Sequence, residues 1–412
     1  MKKTLLIAGG SHSEIPLIRA GQALGYFVVT TGNNPSDLGH QYADRYLIAD
    51  YSDKDALLAV ARKINVDVIC PGCNDFAALS SSYVADVLKL PGHDISESTK
   101  TIHHKDRFRE FARRIGLSSP DAVSCQSELE VDQALDMLDA PVLVKPVDLS
   151  GGKGIHLASN KLQARAFAKQ ALSLSRQNRI VVEKFISGTK HGLSMILKNQ
   201  KVHFHFTDNE QYHLSPFLVS GASTPTSCAP QSILKLINES EAIAKNLKLI
   251  DGIFHMQFIE KEPGHPVIIE ICRRPPGDLY LELVRHATGI PYSELLIQLF
   301  GGGEIPNLPL GVNDKYITRH CLMATDKGFL DELCCDSNTA KKIIDAFIWA
   351  RRGDKIENPA THKLGIVFID HGSLEKMKIE IPLLPKLIYA KVSESLSTAI
   401  KKPPLTETSL LN

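Results

Sequence analysis

The sequence predicts a protein of mixed α/β and α+β class. A doubly wound parallel α/β domain spans residues 1–95, a central α+β domain spans 96–305, and a small α+β domain spans 306–412. Three observations carry this reading. Short apolar runs alternate with helical patterns over the first domain, which is the grammar of a parallel sheet with crossover helices. Beyond it, hairpin-like strand pairs mix with helices. After Gly301-Gly302-Gly303 several short strands and a helix or two remain. At roughly 150 residues per domain, 412 residues suffice for two or three such units.

In the first domain the strands are expected at 4–8, 27–31, 46–49 and 66–70, each closed by Gly, Asn, Asp or Ser. One helix begins near Ser13, with Pro16 in its first turn, and stops at Gly25. Another starts at Ser52 as N-cap and carries Leu57, Leu58, Ala61 and Ile64 at helical spacing. Leu90-Pro91-Gly92-His93 ends the unit. A sheet of this kind presents its ligand loops at the carboxyl ends of the strands, here 9–13, 32–34 and 71–75. The first loop lacks the third glycine of a dinucleotide fingerprint, yet it brings His12 to the strand end. In the third, Asn74 and Asp75 could contact a substrate.

In the central domain, residues 105–115 form a helix with Phe108, Phe111, Ala112 and Ile115 on one stripe, and 128–138 a second. Strands follow at 141–146, 179–186, 193–197, 202–206, 253–259 and 267–271, with a helix at about 232–247. His203 and His205 share a strand face, and His213 lies in a segment able to line a cleft.

Composition restricts the function. Forty-seven basic against 46 acidic side chains give a net charge of +1, so no basic excess exists to neutralise a polyanion. Aromatic residues make up 6%, which is poor material for a base-stacking platform. No apolar run approaches the ~18–20 residues of a membrane span. Residues 1–8 imitate a signal peptide but are too short and run into polar residues, so they read as a strand. Eight scattered cysteines read as reduced thiols, and with them the expected location is the cytoplasm. Cys70-Pro71-Gly72-Cys73 has the spacing of a redox dithiol.

The chemistry concentrates in the central domain. Ser150-Gly151-Gly152-Lys153-Gly154 lets backbone N–H groups lie over an anion, and Lys145 just upstream offers a point charge to a phosphate. Glu183, Lys184, Phe185 and Ile186 end an apolar strand in a tetrad that could bind an adenine edge through its backbone. A hairpin turning at Pro263-Gly264 pairs residues whose numbers sum to 527. That sets Gln257 opposite Glu270 and His255 opposite Cys272. Alternation puts these four and Arg274 on one face, with Met256, Phe258, Val267, Ile269 and Ile271 on the other, towards the core. A carboxylate in so apolar a strand calls for a partner or a metal ion, and Glu270 with Gln257 suits Mg²⁺ held partly by phosphates. Arg274 could stabilise a developing oxyanion, or pair with Glu270.

These segments, in this order, resemble the ATP-grasp superfamily of carboxylate–amine ligases, in particular its amino-acid ligase and biotin-carboxylase-like branch. The resemblance implies an ATP-grasp fold with a small lobe at about 105–187 and a large lobe at about 188–305. It implies an enzyme that activates a small carboxylate, such as an amino acid, with ATP and passes the acyl phosphate to an amine. Lys105 and Lys145 look like the two phosphate lysines, 150–154 like the phosphate-covering loop, and 183–186 like the adenine hinge. Glu270–Arg274 resembles the signature E-x-N-x-R, with Glu270 and Gln257 as ligands of Mg²⁺ or Mn²⁺. Lys145 and Arg274 take the catalytic roles, while His12, Asn74, His213, Arg273 and Arg274 face the substrates. Three positions depart from the family pattern: Gln257 replaces a carboxylate, Cys272 an Asn, and Lys190 a ribose-binding Glu. These departures leave room for a regulatory, non-catalytic ATP binder, and a phosphoribosyl-type ligase is a further alternative. The implied partners are small-molecule carboxylates and amines, with neither nucleic acid nor membrane, and a homodimer is compatible with the reading.

Overall fold

The computed structural model describes residues 2–149, 152–308 and 315–395, arranged as two compact units. The first takes the described residues up to 206 together with 228–277 and 291–308. The second takes 207–227, 278–290 and 315–395. The C-terminal region therefore forms a unit with two segments that the sequence pattern assigns to the central domain.

Within the first unit, strands Thr4–Ala8, Phe27–Gly32, Arg45–Ile48 and Val68–Pro71 form a wholly parallel sheet. The helix Ile15–Ala23 ends before Gly25, whose φ of +86° only glycine adopts cheaply. The helix Lys54–Lys63 is capped by Asp53, whose side chain accepts from the N–H groups of Asp55 and Ala56, and not by Ser52. An acidic Asx cap one residue later reaches two N–H groups of the same first turn. The strand-end loops are tied to one another. The buried Glu14 carboxylate accepts from Ser11 N at 2.7 Å and from Cys73 N at 2.7 Å.

A second, antiparallel sheet has the order Ala122–Cys125, Ile180–Lys184, Val142–Pro146, His156–Ala158. The helices Glu128–Met137 and Lys161–Leu174 cover it with alanines and small aliphatics. A third sheet places Pro266–Cys272, Gly252–Glu260 and Thr189–Lys198 side by side, followed by Lys201–Gln211, whose residues up to Phe206 belong to this unit. One face of it packs Leu193, Met195, Phe254, Met256, Phe258, Ile268 and Ile271 against the helices Lys105–Ile115 and Pro230–Leu247.

The hairpin register has a cause that periodicity alone misses. Next to the turn, Ile259 faces Val267 and Glu260 faces Pro266. A bulge then shifts the pairing, so that Gln257 faces Glu270 and His255 faces Cys272. Ile269 is the extra residue. Ile268 therefore enters the core, in place of Val267 and Ile269, and the Ile269 carbonyl becomes available to another chain segment.

In the second unit, Gly221–Thr224, Ile317–Met323, Lys363–Asp370 and Ile343–Ile348 form an antiparallel series. Lys355–Ile356, Gly328–Cys335 and Ile388–Ser393 form a small separate sheet. Met377, within Lys376-Met377-Lys378, is a buried residue of the helix Leu374–Glu380. Among the described residues no helix is long and apolar enough to cross a membrane.

Candidate functional site

Lys105 and Arg109 lie one turn apart on the helix Lys105–Ile115, along the edge of its core stripe. Lys105 Nζ donates to Leu149 O at 2.7 Å and lies 3.5 Å from Glu270 Oε1. The phosphate lysine and metal carboxylate expected from sequence are thus neighbours. Glu270 remains partly open, with a third of its side chain exposed.

Beneath this pair sits a buried ionic cluster. Lys145 and Glu183, 4% and 1% exposed, form an ion pair on adjacent strands. Arg109 completes it: its Nη2 lies 3.1 Å from Glu183 Oε2, and the same nitrogen donates to the bulged Ile269 carbonyl at 2.7 Å. Burial drives the Lys145 ammonium below its usual range despite the attraction of Glu183. Burial pushes the Glu183 carboxyl up, but Lys145 and then Arg109 more than offset this, and its pKa is lowered. Two cations share one carboxylate, so the cluster carries one positive charge in a dry environment and favours an anion beside it. Arg109 was missed at the sequence level; its spacing of four from Lys105 was the available signal.

Glu183 is thereby corrected. Its carboxylate is consumed by Lys145 and Arg109 and does not face an adenine. The backbone N–H groups of Lys184 and Phe185 are spent on Asp121 O and Pro141 O at 2.9 and 3.1 Å. Ile186 lies two residues beyond the strand. Gly152 and Gly154 both have φ of +70°, as a turn over an anion requires, whereas Ser150 and Gly151 lie outside the described residues.

Lys190, Gly192 and Ser194 share the sheet face of Gln257, His255, Glu270 and Cys272. At Ser194 the face is closed by a 3.0 Å hydrogen bond with Tyr292. Towards Lys190, Gln257 and Glu270 the side chains are only half-buried. Burial pushes the Cys272 thiol up to about 12, which leaves it a poor hard-metal ligand. Burial, then Arg274, brings the neighbouring His255 down to about 3.

Arg274 pairs with Asp75 rather than Glu270, Nε to Oδ1 at 3.0 Å, and His103 Nδ1 meets the same oxygen at 2.9 Å. Burial pushes the Asp75 carboxyl up, but Arg274 and His103 hold it below the usual carboxylate range. A Cβ on Gly277 would lie 3.7 Å from Ser13 Oγ, so the segment after Arg274 lies against the N-terminal loops. His12, half-buried, opens the short turn His12–Glu14 on the same loop.

Three expected substrate residues have other partners in the structure. Arg273 is 9% exposed and bound to Asp94, Nε to Oδ2 at 2.6 Å, with further bonds to the Ile250 and Ile253 carbonyls. Its charge is used internally. Asn74 caps the helix Asp75–Leu88, accepting from Ala77 N at 3.0 Å. His213 belongs to the second unit, with its ring 5.5 Å from that of His320. The Cys70 and Cys73 thiols are pushed well above their ordinary range, first by burial and then by Glu14, opposite to the lowered pKa of a reactive redox pair.

Residues 105–278 match the sequence profile of a family described as the ATP-grasp domain. These residues are an ATP-grasp domain. The ATP-grasp domain thus contains Lys105, Arg109, Lys145, Glu183, Gln257, Glu270 and Arg274. Over 192 residues the chain is 30% identical to the formate-dependent phosphoribosylglycinamide formyltransferase of Prochlorococcus marinus, covering 45% of this chain and 48% of that protein. Over 299 residues it is 21% identical to the carbamoyl phosphate synthase large chain of Clostridium acetobutylicum, covering 71% of this chain and 27% of that protein. The chain thus spans about a quarter to a half of the length of these curated relatives. Among solved structures, the L-amino acid ligase of Bacillus licheniformis superposes with a TM-score of 0.77 at 18% identity, over 95% of this chain and 99% of that one. The ATP-grasp fold, flanked by mixed α/β elements, is therefore the architecture of this chain.

Proposed function

We propose that the chain is an ATP-dependent carboxylate–amine ligase that activates a small carboxylate, such as an amino acid, as an acyl phosphate and passes it to an amine. The observation that carries this reading is the convergence of Lys105 and Glu270, 3.5 Å apart, above the Lys145–Glu183–Arg109 cluster. Such an arrangement binds polyphosphate and tolerates the charge that spreads over a transferring phosphoryl group.

The donor set fits a hard divalent cation. Glu270 supplies a half-buried carboxylate and Gln257 an amide oxygen, while phosphate oxygens would complete the shell. Mg²⁺ or Mn²⁺ held there would supply charge neutralisation of the triphosphate. Lys105 and Lys145 hold phosphate oxygens, and the 152–154 turn covers them. The acid's carboxylate oxygen attacks the γ-phosphorus and ADP departs. The amine then attacks the acyl carbon and phosphate leaves. Arg274, aimed by Asp75, stabilises the oxyanion between these events. His12 and the loop after Arg274 border the acid's side, Lys190 lies on the nucleotide face, and the segment 184–186 borders the adenine.

The test is ADP release measured across a panel of carboxylates and amines with Mg²⁺ or Mn²⁺. Turnover that depends on one acid–amine pair and disappears in Glu270→Ala supports the ligase. ATP binding without turnover for every pair replaces it with a regulatory nucleotide binder.

A further inference from the structure

On the opposite side of the same sheet lies a second cluster that the nucleotide chemistry does not use. His191, Cys228 and Glu260 come from three separate elements: the strand Thr189–Lys198, the residues preceding the helix Pro230–Leu247, and the strand Gly252–Glu260. They are 1%, 7% and 8% exposed. One ligand atom from each lies within 4.8 Å of the other two. Because His191 faces Phe258, one residue from Gln257, its side chain points away from the face that carries Gln257 and Glu270.

We infer that His191, Cys228 and Glu260 form a binding site for a thiophilic divalent cation, with Zn²⁺ the best match to one imidazole, one thiolate and one carboxylate. Zinc takes these donors at about 2.0–2.3 Å, so tetrahedral ligand atoms sit roughly 3.3–3.7 Å apart. Cys228 Sγ and Glu260 Oε1 already lie at 3.3 Å. Two of the three donors are also held from behind. His191 stacks on Phe258, centroids 5.2 Å apart, and its Nε2 lies 2.8 Å from Thr189 Oγ1. Glu260 accepts from Ala229 N at 3.1 Å and from Ser232 Oγ. Such outer partners orient metal ligands and sharpen affinity.

Charge points the same way. A dication with one thiolate, one carboxylate and a neutral imidazole sums to zero, which suits a buried place. Binding expels the thiol proton that Cys228 donates to Glu260, so one proton is released to solvent per ion bound, and affinity rises with pH. Glu260 also satisfies the first turn of the helix Pro230–Leu247, so an ion here would pin that helix to two strands.

The experiment uses the full chain stripped of metal. Zn²⁺ is titrated against a chromophoric chelator with excess Mg²⁺ present, and Co²⁺ is substituted for absorption spectroscopy. One tightly held Zn²⁺ per chain and a near-ultraviolet thiolate-to-cobalt charge-transfer band are expected. Cys228→Ser abolishes the band, His191→Gln weakens Zn²⁺ by at least about 100-fold, and Glu270→Ala, on the other face, leaves both unchanged. Absence of the band in the unmutated chain overturns the site. So does its persistence in folded Cys228→Ser, which would assign it to other thiols of the chain. If Cys228→Ser does not fold, His191→Gln decides: retained affinity overturns the site, and lost affinity supports it.

Discussion

The guanidinium of Arg274 is held by the carboxylate of Asp75, a residue of the N-terminal α/β region, with Nε and Oδ1 3.0 Å apart. The arginine proposed to stabilise the oxyanion is thereby aimed by a group outside the ATP-grasp sequence match.

Asp75→Asn leaves the buried Arg274 charge with a neutral partner. Loss of a buried charge partner costs about 3–5 kcal/mol, so urea melts at pH 7 should show a loss of that order, and ADP release should fall with it. Arg274 and His103 depress the folded-state pKa of Asp75, so its stabilisation is complete above the ordinary carboxylate range near 4 and is lost as pH falls below it. The gap between wild type and variant should therefore shrink in melts at pH 3.

Lys145→Met removes one of the two cations that share Glu183. Loss of a preorganised charge at a transferring phosphoryl group costs about 10²–10³ in kcat, to be read in steady-state ADP release. Arg109→Met should act differently. It strips both Glu183 and the Ile269 carbonyl of a donor, so it should lower the melting temperature as well as the rate.

Gln257→Glu sets a second carboxylate directly opposite Glu270. Like charges opposed across strands repel, so the metal-free protein should melt lower, by about 0.2–1 kcal/mol. Mg²⁺ should reverse the loss, and the Mg²⁺ concentration for half-maximal activity should drop by roughly tenfold, because ligand charge sets affinity for hard cations. Thermal shifts with and without Mg²⁺ read both effects.

Asn74→Ala distinguishes a cap from a substrate contact. Its side-chain oxygen accepts from Ala77 N, so the substitution should cost about 1 kcal/mol in denaturant melts while KM for the acid stays constant. A raised KM with unchanged stability would return Asn74 to the binding surface.

Period and punctuation in the chain determined much of this protein. The helix Lys105–Ile115 emerges with the predicted bounds, because Phe108, Phe111 and Ala112 form its buried stripe. The strand Thr4–Ala8 does so as well, and the hairpin that turns at Pro263-Gly264 was legible as a hairpin. These features depend on neighbours in sequence, whose geometry the backbone repeats every 2 or 3.6 residues. Tertiary structure alone decided which partner each buried charge takes: Arg274 with Asp75, Arg273 with Asp94, and Glu183 with Lys145 and Arg109. The bulge at Ile269, which corrects the register and frees a carbonyl for Arg109, also belongs to that level. An ionised side chain stripped of water must find its counter-charge wherever packing brings one within reach, and that meeting point is a property of the folded chain rather than of any local run of residues.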